Sequence, residues 1–405
     1  MILGAGTFQM PLINAAKKHG LQVICVTPDG DYPGIKAADK VLFHDARDAE
    51  FVLEAARREQ IDGIISDQAE IFVRPVAYVA EKLGLPGNGY ETACLYTDKH
   101  LMRKRSKELG LATIESYVVR EPDEAVRIFR SLNGTAIIKP VDNCSSRGIS
   151  KIRSEAELME KWDEAKQYSE SGDIIVERFV EGPQFEVDSI AVNGHVRVLM
   201  YADLNEFSIP NVFSSASRLY PSEADPLTVE RLLAYSNRIN EGFGMKQGIS
   251  HNEYIMDEKT GEIYLIEAAL RGGGTYIASH IAKLETGLDT ADFLVKTALG
   301  QLDDVPDFEM NKCHAGYACF YLPQGRIVSI AGLDKVEKLD YVVKTKFNDI
   351  KTGMMTHALE DKDQRCAVIL HAGSRKEMIE RIGEIRNIID IQIETNEGLK
   401  GPIWE

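Results

Sequence analysis

The strongest chemical signal in the chain lies at residues 251–274, HNEYIMDEKTGEIYLIEAALRGGG, where two glutamates sit among apolar neighbours ahead of an arginine and three glycines. An alternating run at 251–256, a turn at 257–261 and a second run at 262–267 predict a β-hairpin. With Met256 opposite Glu262, Glu253 faces Leu265 and is the diagonal neighbour of Glu267, roughly 7–8 Å away on the same face. Two carboxylates so placed repel each other unless a hard cation lies between them. Oxygen-only ligation points to Mg²⁺, with phosphate oxygens completing its shell. Arg271 follows one short loop later, and Gly272, Gly273 and Gly274 are expected to open a helix, aiming a cation and free backbone N–H groups at an anion. A solvated acidic hairpin is the bland alternative; the apolar Ile263, Leu265 and Ile266 and the R-G-G-G run argue against it.

Three further stretches carry cations or acids where a nucleotide could use them. Residues 97–110 read as a basic helix with Thr97 as N-cap. Lys99 then falls in the first turn, where a cation opposes the macrodipole and so suggests a phosphate partner. Residues 136–138 form a buried strand with Lys139 at its tip, followed by a small polar loop at 141–149 that can fold over a polyphosphate, Lys139 and Arg147 offsetting charge. It is not a P-loop, because G-x-x-x-x-G-K-[ST] is absent. Residues 174–182 form a strand whose edge presents Glu177 and the Val180 backbone to an adenine edge, with Ile138, Val176 and Phe179 as an apolar sandwich. Residues 185–191 alternate as an antiparallel strand whose wet face carries Glu186 and Asp188.

The elements that position these residues follow from the wider pattern. Residues 1–95 alternate strand and helix: strands at 1–3, 21–26 and 61–66, helices at 11–19 and 51–59. That order predicts a parallel, doubly wound sheet. The Gly4-Ala5-Gly6 turn invites a dinucleotide reading, but Phe8, Gln9 and Met10 supply no third glycine, so an NAD(P)-dependent oxidoreductase is the weaker alternative. Residues 66–70 fall at the carboxyl end of a strand, either as ligand contacts or as a capped helix start with Glu70 in its first turn. The tail offers short strands at 316–322, 326–330, 342–346 and 366–372, a helix at 376–388 and a last β run at 389–394.

A length of 405 residues implies two or three domains. A net charge of −16 argues against nucleic acid or an anionic membrane as partner. The six cysteines form no C-x-x-C pair, so neither a zinc site nor a disulfide framework is indicated. No run of about 18 apolar residues and no opening signal segment occurs, which predicts a cytoplasmic protein.

Taken in order, these motifs resemble the ATP-grasp superfamily of carboxylate–amine ligases, whose members include L-amino-acid ligases, biotin carboxylase, carbamoyl phosphate synthase large-subunit modules and purine-pathway enzymes. The resemblance spans the whole chain. It implies an α/β Rossmann-like pre-ATP-grasp domain at 1–95, an α+β ATP-grasp domain at 96–300 with a lid at about 113–180, and a β-rich C-terminal domain at 301–405. It implies that Lys99 and Lys139 are nucleotide-binding lysines, that 142–149 (Ser145, Ser146, Arg147 and Gly148 within it) covers the phosphates, and that Glu177 and Val180 hold adenine. Glu186 falls where the family has an acid near the ribose. Glu253 and Glu267 match the metal pair, Mg²⁺ with Mn²⁺ as substitute, and Arg271 with Gly272, Gly273 and Gly274 would meet the substrate carboxylate. Arg218 is a candidate for the γ-phosphate and the acyl phosphate. Many relatives carry Asn where this chain has Ala269; water or Asn252 could fill that place. The implied reaction joins a small-molecule carboxylate to an amine at the expense of ATP. A homodimer through the tail is compatible with it, and a catalytically silent nucleotide-binding scaffold is the remaining alternative.

Overall fold

The computed structural model describes residues 1–132, 134–142, 148–210, 212–357, 359 and 365–405. The chain forms two compact units. The first is made of Met1–Ile114, Glu186–Tyr201 and Ala224–Met310, the second of Glu115–Phe185, Ala202–Glu223 and Asn311–Glu405.

In the first unit, Ile2–Leu3, Ile24–Thr27 and Lys40–Phe43 pair in parallel in that order. The middle strand, Ile-Cys-Val-Thr, is buried throughout, as a parallel strand covered on both faces must be. Helices Ala49–Glu59 and Val73–Leu83 bury Val52, Leu53 and Val79 against Leu3 and Val26. Asp48 starts the first of these by accepting the Phe51 N–H at 3.1 Å. The run at 61–66 contributes only one bridge, Ile65 to Ile2, rather than a full strand. The strand Lys40–Phe43 is half-exposed, and its lack of a long apolar run hid it from the sequence pattern.

The same unit contains the hairpin of Gly248–Met256 and Ile263–Ala269. Its register differs from the expected one. Met256 opposes Ile263 and Tyr254 opposes Leu265; a bulge then intervenes, so that Glu253 directly opposes Glu267. The extra residue is Ile266, and a bulge shifts all later pairs by one place. Gly248–Met256 has Gln184–Val192 as its other neighbour. Glu186 and Asp188 are consequently buried, not on a wet face as the alternation suggested.

In the second unit, Ser116–Val119, Ile174–Arg178, Ala136–Pro140 and Ser150–Ile152 form an antiparallel sheet in that order. Helices Pro122–Ser131 and Glu155–Gln167 cover one face, closing a core of Phe129, Ile138, Ile152, Leu158, Trp162 and Val176. Ser215–Tyr220, His314–Phe320, Cys366–Ala372 and Val342–Lys346 make a second antiparallel run, backed by the helix Arg375–Ile388. A small sheet of Met355–Thr356, Gly325–Ala331, Asp390–Thr395 and Gly398–Lys400 completes the unit. Among the described residues, no helix is long and apolar enough to cross a membrane.

Candidate active site

The bulged hairpin brings the Glu253 and Glu267 side chains onto one face of adjacent strands. Direct opposition places them closer than the diagonal spacing first expected. Lys99 stands beside them, its Nζ 2.5 Å from Glu267 Oε1. The helix Lys99–Glu108 presents that ammonium from its first turn, and its N-cap is Asp98, not Thr97: Asp98 Oδ1 accepts the Leu101 N–H at 3.0 Å. Thr97 instead donates its hydroxyl to Ala93 O at 2.8 Å. A buried lysine at a helix N-terminus is unfavourable on dipole grounds alone, and the acidic pair supplies the compensation. Burial pushes the Glu267 carboxyl up; the Lys99 ammonium pulls it down further, and the net direction is below the ordinary glutamate value.

Further along the same helix, Arg103 donates through Nη2 to Ile266 O at 2.9 Å. That carbonyl belongs to the bulge residue itself, so Arg103 takes up a backbone acceptor that the broken ladder displaces. Asn252, considered as a substitute metal ligand, is fully buried and donates to Asn240 Oδ1 at 2.9 Å. Successive residues of a strand point to opposite faces, so Asn252 faces away from the Glu253 side and does not take the ligand place that Ala269 leaves.

Arg271 leaves the second strand with its Nη2 4.0 Å from Glu70 Oε2. Burial, and next the Glu267 charge, push the Glu70 carboxyl up to about 7 against the pull of Lys99 and Arg271. Gly272 does not open a helix: its N–H donates to Asp67 Oδ1 at 2.7 Å. A Cβ at Gly272 would lie 2.7 Å from that oxygen, and one at Gly273 would lie 2.8 Å from His251 Nδ1, so both glycines are required by close approach. Thr275 and Tyr276 then adopt left-handed conformations at φ 52° and 62°, before a single π-turn at Ile277–Ile281. Such irregular backbone collects at functional sites. His251 Nδ1 lies 2.9 Å from Asp188 Oδ1 and 3.2 Å from Glu186 Oε1, while its Nε2 is 3.9 Å from Glu253 Oε1. The imidazole thus stands between two buried acids and the exposed edge of the pair.

In the second unit, Lys139 Nζ pairs with Glu177 Oε1, both side chains buried. The register Ile137↔Glu177 and Lys139↔Ile175 sets these four residues on one face. Ile138 and Val176 point the other way into the helix-covered core, so the apolar wall beside Glu177 is built from Ile137 and Ile175 instead. Val180 is buried, and Lys151 Nζ sits 3.6 Å over the Phe179 ring. Gly148 is left-handed at φ 69° and packs on Tyr168 and Pro140. Ser145, Ser146 and Arg147 lie outside the described residues. Arg218 is buried on the strand Ser215–Tyr220, opposite Tyr317.

Residues 132–279 match the family of ATP-grasp domains. This segment is an ATP-grasp domain. Of the candidates named above, Lys99, Arg103, Asp67 and Glu70 lie outside it. The chain is 25 % identical over 331 residues to alanine–anticapsin ligase of Bacillus subtilis strain 168, covering 73 % of this chain and 68 % of that one. It is 29 % identical over 200 residues to D-alanine–D-alanine ligase of Flavobacterium johnsoniae, covering 46 % and 59 %. The chain therefore spans about two thirds or less of the length of these curated relatives. Among solved structures, the L-amino acid ligase of Bacillus licheniformis superimposes with a TM-score of 0.81 at 20 % identity, over 97 % of this chain and 98 % of that one. The biotin carboxylase domain of Hydrogenobacter thermophilus 2-oxoglutarate carboxylase, in complex with MgADP and bicarbonate, gives 0.75 at 18 %, over 98 % and 91 %. These likenesses establish an ATP-grasp fold of mixed α/β content.

Three residues around the candidate site escaped the sequence reading. Arg103 was read with the basic helix, and only its tertiary bond to the bulge gives it a task. Asp67 stood in a segment read as contacts or a cap; its bond to Gly272, 205 residues away, had no local signal. Gln9 fills the N-terminal glycine turn, accepting the Gly6 N–H at 3.1 Å and donating to Asp67 O at 2.9 Å. A dinucleotide phosphate would have to displace that side chain.

Proposed function

We propose that the chain is an ATP-dependent ligase that activates a substrate carboxylate as an acyl phosphate and couples it to an amine, releasing ADP and phosphate. The observation that carries this reading is the direct opposition of Glu253 and Glu267 with Lys99 on the same face. The donor set is made of carboxylate oxygens alone, which fits Mg²⁺ and equally Mn²⁺ and does not fit a soft metal. Bound there by Glu253 and Glu267, the ion would neutralise phosphate charge.

The chain's own groups account for the rest. Glu177 accepts from the adenine amino group and the Val180 backbone takes the ring edge. Lys139 is held by Glu177 until nucleotide arrives, and then directs its ammonium to the phosphates. Gly148 and the polar loop before it cover them. Lys99, drawn from Glu267, meets charge spreading over the transferring phosphoryl group. Arg271 holds the substrate carboxylate, and Arg218 steadies the acyl phosphate. One carboxylate oxygen attacks the γ-phosphorus as the bond to ADP breaks. The amine then attacks the acyl carbon, phosphate departs with the C–O bond pair, and the amine gives up a proton. Along the chain we read 1–95 as the pre-ATP-grasp domain, 96–300 as the ATP-grasp domain with its lid at about 113–180, and 301–405 as a β-rich C-terminal domain.

The test is ADP release against a panel of carboxylic acids, each with and without several amines. Release that requires both partners supports the reading. ATP binding with no release under any pair would favour the silent scaffold instead.

A further inference from the structure

In the first unit, the helices Val73–Leu83 and Thr290–Ala298 and the end of the hairpin that begins at Gly248 enclose a cavity of about 80 Å³. Every residue that lines it belongs to this unit. Ile64, Phe72, Val76, Ala77, Ile249 and Leu294 make its walls apolar, and Phe72 and Val76 join it to the core of the parallel sheet. A cavity of about 150 Å³ lined in this way holds benzene. About half that volume suits a branched aliphatic group of roughly three to four carbons and not an aromatic ring.

Water suits this space poorly, because a buried water needs roughly two to four polar partners and most polar groups on the lining are engaged elsewhere. Ser66 Oγ donates to Leu3 O at 2.8 Å, and Thr297 Oγ1 to Leu294 O at 2.9 Å. Asn88 donates to Gln247 O at 2.8 Å and accepts the Gln247 N–H at 3.1 Å. Two lining atoms differ: Arg271 Nε and Gln247 Oε1 are shielded from solvent and have no hydrogen-bond partner among the described residues. The Arg271 donor falls to the substrate carboxylate under the ligase reading. Gln247 Oε1 has no such claimant. Its orientation is fixed by the other end of the amide: Nε2 donates to Asn193 Oδ1 at 3.1 Å, and the Asn193 amide nitrogen is itself turned to Asp303 O at 3.1 Å. A buried acceptor without a donor is costly, so a ligand carrying a hydroxyl or an amide N–H gains there. Gln247 lies six residues before Glu253, roughly 20 Å along an extended chain. A polar head at Gln247 is therefore remote from the carboxyl group that reacts beside the acidic pair. Glu253, Glu267, Lys99 and Glu70 take no part in the lining, and only Asp67 and Arg271 are common to the cavity and the candidate active site.

We propose that this cavity binds a short branched aliphatic molecule bearing a hydrogen-bond donor, with Val76, Ile249 and Leu294 holding its carbons and Gln247 Oε1 accepting from its head. The inference goes beyond the ligase reading and stands without it, because binding needs no turnover. The probe is 2-methyl-1-propanol, titrated into the full-length protein and followed by saturation-transfer NMR of its methyl groups, with ethylene glycol as the counterpart that lacks an apolar body. Saturable binding with a millimolar Kd is expected, the strength that burial of about four carbons and one hydrogen bond supplies. Val76→Phe fills the cavity and should abolish binding. Gln247→Met keeps the side-chain length, removes the acceptor and should weaken binding about fivefold. Should Val76→Phe fail to fold by circular dichroism, Gln247→Met still decides. Glu267→Gln should leave the affinity unchanged, so failure of the ligase reading in the ADP assay and failure of this proposal are read separately. Absence of saturable binding overturns the proposal, as does wild-type affinity in either cavity variant that folds. Loss of binding in Glu267→Gln, or ethylene glycol binding as tightly as the alcohol, overturns it too.

Discussion

Glu267→Gln separates the fold from the chemistry, because its two electrostatic effects on stability nearly cancel. Removing one partner of a buried ion pair costs about 3–5 kcal/mol, and Lys99 Nζ lies only 2.5 Å from Glu267 Oε1. The same substitution removes the repulsion from Glu253, which stands directly across the strand pair. At ~5 Å and an effective dielectric constant of about 20 that repulsion is worth about 3 kcal/mol. The net cost is then about 1 kcal/mol, small beside the roughly 5–15 kcal/mol that holds a domain folded. Binding of MgATP behaves differently. At a hundredfold excess over Kd it adds about 2.7 kcal/mol of stability to a protein that can bind it. In the variant that increment should vanish, and ADP release should fall at least about a hundredfold. Urea unfolding with and without MgATP, run beside a coupled ADP assay, reads both quantities. A variant that turns over within about threefold of wild type, or that gains the full MgATP increment, refutes the metal-pair assignment. A variant that fails to fold refutes the charge argument instead.

Two other substitutions test neighbouring parts of the site. Burial first, and then the Glu267 charge, push the Glu70 carboxyl up from 4.5 to about 7. A group raised in the folded state contributes stability that is complete below its unfolded value near 4.5 and is lost as pH rises through about 7. The whole displacement is worth about 3 kcal/mol at ~1.4 kcal/mol per pH unit. Glu70→Gln removes that loss, so urea midpoints of the metal-free protein should favour the variant more at pH 8 than at pH 5; a gap independent of pH overturns the argument. Lys139→Ala strands the buried Glu177 carboxylate and removes one charge-assisted contact to phosphate, so ATP affinity should drop at least roughly tenfold by calorimetry. An unchanged Kd would discard Lys139 as a nucleotide ligand.

What could be read from the sequence was chemical type and periodicity, and what could not was tertiary availability. Alternation over 251–267 makes a hairpin legible, since a period of two needs no distant information. Its register was beyond reach, because the turn sets Met256 opposite Ile263 and a bulge at Ile266, whose carbonyl accepts from Arg103 163 residues earlier in the chain, then shifts the pairs once more. The alternation over 185–191 was read correctly as a strand and wrongly as one whose Glu186 and Asp188 face is wet. Both faces of Gln184–Val192 are buried, which the alternation of its own residues could not reveal. Gly272 shows the same division: three glycines announce close approach, but not that Asp67 has claimed the first N–H. The two acids are therefore selected by local pattern, while their direct opposition depends on a bulge whose Ile266 carbonyl accepts from Arg103. Were the ladder to keep its register past Tyr254, Glu253 would face Ile266 instead of Glu267. Arg103→Gln is therefore expected to loosen the opposition of the two carboxylates and lower ADP release, and a variant with wild-type turnover refutes that role.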